Sequence, residues 1–240
     1  MYQFKSRVRY SEVNSEKKLT LTSLLDYLQD CSSFEAEDME IGVDYLARHK
    51  ISWVLASWEI EILRYPGMGE QICVNTWPYG FKGFYGYRNF SAVDAAGELL
   101  VKANSVWVYM DLERMHPVRI SEEMIEAYRS EFGDALSGDW AKGRLKIAPG
   151  QMEAAEALPG VPVTKGFIDT NHHVNNGRYV QVAEQYLPDD FRVRRLRVEY
   201  KKAAALGDVL YPHLIKGDGD MTCALTDGAG QTYAIVDFVQ

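Results

Sequence analysis

The chain carries one pattern twice, and this limits its fold more than any other feature. Glu61-Ile62-Leu63-Arg64 precedes Gly69-Glu70-Gln71-Ile72, and Glu199-Tyr200-Lys201-Lys202 precedes Gly207-Asp208-Val209-Leu210 at the same internal spacing. Upstream, Val13-Asn14 leads through a polar stretch into LTLTSLLDYLQD, and Ile168-Asp169 leads through another into VNNGRYVQVAEQYL. Downstream, Ala96-Gly97-Glu98 and Ala229-Gly230-Gln231 each open a β-rich run, LLVKANSVWVYM and TYAIVDFV. The spacing is wider than that of solenoid repeats. Two related α+β units are therefore expected, each a strand, a turn and a helix followed by antiparallel strands.

Local patterns support this division. Leu21, Leu24, Leu25 and Leu28 fall at i, i+3, i+4 and i+7, an apolar helical stripe that needs a sheet to cover. ISWVLASWEIEIL before Tyr65-Pro66-Gly67, and EQICVNTW before Pro78, read as strands bounded by breakers. Between the copies, Ser121 caps a predicted helix SEEMIEAYRSEF, and a Gly- and Pro-rich stretch follows. The expected organisation is a first unit over 1–130, a surface linker over 131–160 and a second unit over 161–240.

Charge and composition narrow the function. The net charge is -8 over 240 residues, which argues against a non-specific grip on nucleic acid or an anionic membrane. There is no apolar run of membrane-spanning length, and MYQFKSRVRYSEV lacks a signal-peptide core, so the expected location is the cytoplasm. Cys31, Cys73 and Cys223 are too scattered for a disulfide framework or a zinc site and read as buried thiols. Gly80, Gly83 and Gly86 lie among aromatics between strand signals and read as a hairpin turn.

Chemistry concentrates in Phe167-Ile168-Asp169-Thr170-Asn171-His172-His173-Val174-Asn175-Asn176, at the mouth of the second predicted helix. Two readings compete. Asp169 and Asn171 can form Asx turns with Asn175 or Asn176 as a helix cap, or the carboxylate, amide and imidazoles can serve acyl chemistry beside the helix N-terminus. The first copy has Asn14, Glu16 and Lys18 at the equivalent positions, so the architecture does not demand this set. The adjacent histidines have no metal-ligand spacing, and P-loop, dinucleotide and nucleophile-elbow motifs are missing. No metal or cofactor is expected.

The string Asp169-x-Asn171-x-His173-Val174-Asn175-Asn176 resembles the signature of the plant and bacterial acyl-acyl carrier protein thioesterases. Trp53-Val54, Arg64-Tyr65-Pro66 with Gly69, Thr76-Trp77, and Ser105-Val106-Trp107-Val108 with Met110 are similar to that family's N-terminal domain. The resemblance implies two fused hotdog domains, each a long helix wrapped by an antiparallel sheet, and hydrolysis of fatty acyl-acyl carrier protein thioesters. It implies Asp169, Asn171 and His173 as the catalytic set. The helix N-terminus suggests the roles: Asn171 and the amides near Val174 and Asn175 polarise the carbonyl, while Asp169 and His173 activate a water. The first unit would then hold the acyl chain along Leu24, Leu28 and Trp58. Where the family often has Glu followed by Cys, after VEYKK, this chain has Ala203 and Ala204, and Asp169 is the candidate substitute as general base. The partner would be acyl carrier protein, docked on a local basic patch: Arg192, Arg194, Arg195, Arg197, Lys201 and Lys202, or Lys142, Arg144 and Lys146. A monomer or a homodimer is compatible. The alternatives are an acyl-coenzyme A thioesterase, a hotdog dehydratase or a non-catalytic acyl-binding protein.

Overall fold

The computed structural model describes residues 1–141 and 143–240; Lys142, from the second cationic run, lies outside the described residues. The chain forms two compact units, Met1–Ala56 with Ile60–Trp140, and Ser57–Glu59 with Ala141–Gln240.

The first unit contains β1 (Tyr2–Arg7), α1 (Leu21–Asp38), α2 (Val43–Arg48), β2 (Ile51–Ile62), β3 (Gln71–Lys82), β4 (Tyr85–Asp94), β5 (Leu99–Asp111), β6 (His116–Pro117) and α3 (Glu122–Ala127). Its strands lie in the order β1-β3-β4-β5-β2, with β6 added to β5. The β1/β3, β3/β4 and β4/β5 pairs are antiparallel. Helix α1 starts where Thr20 Oγ1 accepts the Ser23 N–H, and it packs on β1 and β3. Its predicted stripe is buried at Leu21, Leu24, Leu25 and Leu28. Each such side chain contributes about 1.5–3 kcal/mol by leaving water.

Two details depart from the local reading. The strand expected to stop before Pro78 continues to Lys82, because a bulge between Pro78 and Gly80 absorbs the missing N–H. The chain then reverses in the expected hairpin, with Lys82 opposite Tyr85 and Gly83 at φ +66°. The stretch read as linker begins as a strap on the first unit. Gly133 N–H donates to Pro78 O (3.0 Å), Trp77 Nε1–H to Asp134 O (2.8 Å) and Leu136 N–H to Asn89 Oδ1 (2.8 Å). Trp77 and Asn89 are cross-strand partners, so both anchor the strap on one face of β3 and β4.

The second unit contains α4 (Pro149–Glu153), β7 (Glu156–Ala157), β8 (Val161–Pro162), α5 (Asn176–Glu184), β9 (Arg195–Tyr200), β10 (Val209–Lys216), β11 (Asp220–Thr226) and β12 (Thr232–Val239). The strand order is β9-β12-β11-β10-β7, with β8 on β10. Helix α5 packs on β11 and β12 through a face that includes Val180 and Ala183. It runs nine residues where α1 runs 18. Pro188 disfavours helix at the residue before it, which keeps α5 short. Among the described residues no helix is long and apolar enough to cross a membrane.

Candidate active site

The loop before α5 is held by its own backbone. Asp169 N–H donates to His173 O (2.9 Å), and His172 N–H donates to Asp169 O (3.1 Å). Asp169 Oδ1 accepts the Asn171 N–H (2.8 Å), an Asx turn, and a bridge between Ile168 and Val174 closes the loop. His172 takes a left-handed φ of +62°. The loop before α1 repeats these features. Asn14 N–H donates to Lys18 O and Lys17 N–H to Asn14 O, both at 2.9 Å. Asn14 Oδ1 accepts from Glu16 N–H (3.1 Å) and Lys18 N–H (3.0 Å), Lys17 has φ +59°, and Val13 bridges Leu19. Asn14, Glu16, Lys17 and Lys18 thus correspond to Asp169, Asn171, His172 and His173.

The equivalence separates turn chemistry from the rest. The turn needs a side-chain oxygen at its first position, and Asn14 supplies one without charge. From the positions of Asn171 and His173 the loop uses backbone only, so any residue type fits there. Asn171 and His173 are exposed, and Asp169 is half-buried. The competing structural reading is therefore met in part: Asp169 does make an Asx turn, and Asn175 Oδ1 caps α5 by accepting the Gly177 N–H (2.9 Å). Neither role accounts for a carboxylate at 169, an amide at 171 or an imidazole at 173.

A second loop, between β9 and β10, supports the first. Val174 N–H donates to Ala204 O (2.8 Å), as Leu19 N–H does to Pro66 O (3.0 Å). Ala204 N–H donates to Tyr179 Oη (2.8 Å), and Tyr200 Oη–H donates to Asn176 O (3.0 Å). Burial, opposed by the Ala204 amide and reinforced by charges that include Asp169, pushes the Tyr179 phenol up to about 12, so it stays protonated. Asp208 Oδ2 accepts from Ala205 N–H, as Glu70 Oε2 does from Gly67 N–H. Ala203 itself is exposed and brings only a methyl group.

This packing changes the expected oxyanion donors. The Val174 amide is spent on Ala204 O and the Asn175 amide on Phe167 O (2.8 Å), so neither is free for a substrate carbonyl. Both acceptors lie outside the helix signature, which is why the motif alone did not reveal them. Among the described residues the Asn176 N–H, first in the helix, has no acceptor.

The residues expected along the acyl chain are all buried: Leu24 and Leu28 on α1 of the first unit, and Trp58 in the part of β2 grouped with the second. The same stripe of α1 continues through Cys31 to Glu35, whose carboxylate is fully buried and forms an ion pair with Arg88 of β4. The helical period marks Glu35 as inward but does not show a cation 53 residues away on β4, so the pair is not legible in the local pattern.

A helix on an antiparallel sheet, formed twice and entered each time through the same closed loop, defines a tandem hotdog protein in which only the second loop carries an acid, an amide and an imidazole. Residues 1–128 match the acyl-ACP thioesterase N-terminal domain and residues 158–235 match the acyl-ACP thioesterase C-terminal domain, and the chain belongs to this family. It is 24% identical over 224 residues to oleoyl-acyl carrier protein thioesterase 1, chloroplastic, of Arabidopsis thaliana, covering 87% of this chain and 62% of that protein. It is 25% identical over 219 residues to dodecanoyl-[acyl-carrier-protein] hydrolase, chloroplastic, of Cinnamomum camphora, covering 85% and 56%. The chain thus spans less than two thirds of the length of these relatives. Among solved structures, an acyl-ACP thioesterase from Bacteroides thetaiotaomicron superposes with a TM-score of 0.87 at 21% identity, covering 99% of this chain and 96% of that one. A 12:0-ACP thioesterase from Umbellularia californica gives 0.87 at 19% identity with the same coverage. These likenesses establish the fold as the tandem hotdog expected from the sequence.

Proposed function

We propose that this chain hydrolyses fatty acyl-acyl carrier protein thioesters to free fatty acid and carrier protein, using Asp169, Asn171 and His173 of its second unit. One observation carries the reading: the two copies share one loop scaffold, which needs a side-chain oxygen at 169 but neither its charge nor the amide at 171 or the imidazole at 173, and only the second copy bears this set. Family membership and the printed names of the relatives support the reaction class.

In the proposed mechanism the substrate carbonyl oxygen faces the Asn171 side-chain amide and the Asn176 N–H at the helix mouth. Each such donor, aimed at the developing oxyanion, is worth about 3–4 kcal/mol. Asp169 and His173 take a proton from water, whose oxygen attacks the carbonyl carbon. The carbon–sulfur bond breaks, and the leaving thiolate takes the proton held on His173. The first unit takes the acyl chain along α1, with Leu24 and Leu28 in its wall. A direct attack by Asp169 is the variant mechanism; it would leave label from heavy-oxygen water in the Asp169 side chain after a single turnover.

Acyl carrier protein is the proposed partner, and the chain is proposed to act in the cytoplasm as a monomer or a homodimer. Cys31 and Cys223, buried in separate units, suit a reducing compartment. Much of the cationic run through and beyond β9 is committed internally: Lys201 pairs with Glu199 and Lys202 with Asp227, both at 3.0 Å, and Arg197 donates to Gly143 O. In the second run Arg144 pairs with Glu199 at 3.5 Å. Arg194 is exposed, and no ion pair occupies it among the described residues, so it is the proposed docking cation.

The test is hydrolysis of matched acyl-acyl carrier protein and acyl-coenzyme A thioesters of graded chain length, with His173→Ala as control. Faster release of acid from the carrier-protein thioesters, lost in the variant, is expected. Equal rates on both thioesters would point to the coenzyme A alternative. Binding without cleavage would make the methyl group of Ala203 decisive and the chain an acyl-binding relative.

A further inference from the structure

Helix α1 presents Leu21, Leu24, Leu28, Cys31 and Glu35 on one buried stripe, at steps of three and four residues. Four are apolar or thiol, and the fifth is a carboxylate. The opposing sheet changes character at the same level. Cys31 Sγ–H donates to Val74 O (3.5 Å), in the rank formed by Val74, Ala92 and Val101. The next rank is Thr76, Phe90 and Ala103, and the one after it is Pro78, Arg88 and Ser105. Arg88 pairs with Glu35, donates to Thr76 Oγ1 (3.0 Å) and lies 5.2 Å from the centre of the Tyr128 ring. Ser105 Oγ–H donates to Arg88 O (3.1 Å), and Trp107 Nε1–H donates to Ser105 Oγ (2.8 Å). The seam between helix and sheet is therefore apolar up to Cys31 and is then crossed by a charged layer. Beyond that layer lies a separate aromatic cluster that includes Trp53, Phe81, Tyr109 and Tyr128.

We propose that the Glu35–Arg88 pair is the stop that sets the longest acyl chain this enzyme accepts. The inference rests on the reading that the acyl chain lies along α1. A methyl terminus can exchange places with Leu, Val and Phe side chains, because all are apolar. It cannot pass the pair without separating two charges that have no water to turn to, since both partners are nearly fully buried. The span from Leu24 to Glu35 is about 16 Å at ~1.5 Å per helical residue, and this bounds the chain. Glu35 and Arg88 thus act as specificity-determining residues while taking no part in the chemistry.

The test replaces the pair together, Glu35→Leu with Arg88→Met, since a buried ion pair exchanged whole for apolar side chains of similar volume is tolerated. The kcat/KM of each acyl-acyl carrier protein substrate is compared with that of the substrate two carbons shorter. Wild type is expected to fall beyond its longest good substrate, and the double variant to gain there by roughly tenfold per two-carbon step, as two newly buried methylenes allow. Leu28→Phe, which narrows the seam nearer its start, is run beside it and is expected to shorten the preference. A shift with Leu28→Phe but none with the double variant overturns the stop and leaves the acyl seam standing. No shift with either overturns the acyl seam itself. Should the double variant not fold, the wild-type protein is labelled with a medium-chain acyl-pantetheine thioester carrying a terminal diazirine. Adducts at residues 31–35 or 88 support the stop, and adducts confined elsewhere overturn it.

Discussion

Replacing Asp169 with Asn removes the charge and leaves the turn. In the second unit Asp169 Oδ1 accepts one backbone N–H at 2.8 Å, and in the first Asn14 Oδ1 accepts two at 3.1 and 3.0 Å from the same loop geometry. An amide oxygen at 169 can therefore make the turn, and Asp169→Asn is expected to change unfolding free energy by no more than about 0.5 kcal/mol. Asp169→Ala loses the turn hydrogen bond as well and is expected to cost about 1 kcal/mol. Activity should divide differently. If the carboxylate helps activate water, both variants lose about 100- to 10,000-fold in kcat/KM on an acyl-acyl carrier protein thioester, whatever their stability. The assay pairs urea unfolding with steady-state hydrolysis on the same preparations. An active Asp169→Asn enzyme would reduce Asp169 to a turn residue. An Asp169→Asn protein as unstable as Asp169→Ala would refute the equivalence of the two loops.

Three further outcomes follow from packing and charge. Burial alone carries the Glu184 carboxyl from an ordinary 4.5 to about 7, so between these values the folded chain keeps a proton that the unfolded chain releases, and stability falls as pH rises through that window. Glu184→Gln is expected to match wild type near pH 4 and to be more stable by about 1–3 kcal/mol at pH 8, a gap read by denaturant titration at both pH values; a gap independent of pH would contradict it. Arg88→Met alone leaves the buried Glu35 charge unpaired and is expected to cost about 3–5 kcal/mol, far more than the paired replacement, in the same titration. A Cβ at Gly86 would lie 2.9 Å from Trp53 Cζ3, so Gly86→Ala is expected to cost about 1–3 kcal/mol and to lower the thermal midpoint, with a smaller loss when Trp53 is reduced to Phe.

What was legible in the sequence was periodic or repeated. The stripe through Leu21, Leu24 and Leu28 identified α1, because burial of one face imposes that period, and the shared spacing from Glu61 to Ile72 and from Glu199 to Leu210 marked the two repeated units. What was not legible depends on partners distant in sequence. Pro78 reads as a strand end until the bulge at Gly80 is seen, and the stretch read as a linker gives no sign that Leu136 bonds to Asn89. The amides of Val174 and Asn175 look available in the helix signature, but Ala204 O and Phe167 O occupy them. Glu35 has a helical period of its own, yet its meaning depends on Arg88.

The duplication serves as an internal control for the site. Features common to both loops belong to the fold: the left-handed residue at 17 or 172, the buried apolar residue at 19 or 174, and the amide bound to a carbonyl at 66 or 204. Differences that the fold does not use are free to carry function. By that subtraction Glu16 and Lys18 are ordinary exposed residues on a turn, whereas Asn171 and His173 stand at the mouth of a helix whose first amide has no acceptor among the described residues. Among the described residues these two side chains make no hydrogen bond or ion pair, so removing them is expected to spare the loop and, on the proposed reading, to lower hydrolysis. Asp169 belongs to both categories, since its oxygen builds the turn and its charge does not, and only the Asn substitution can separate the two.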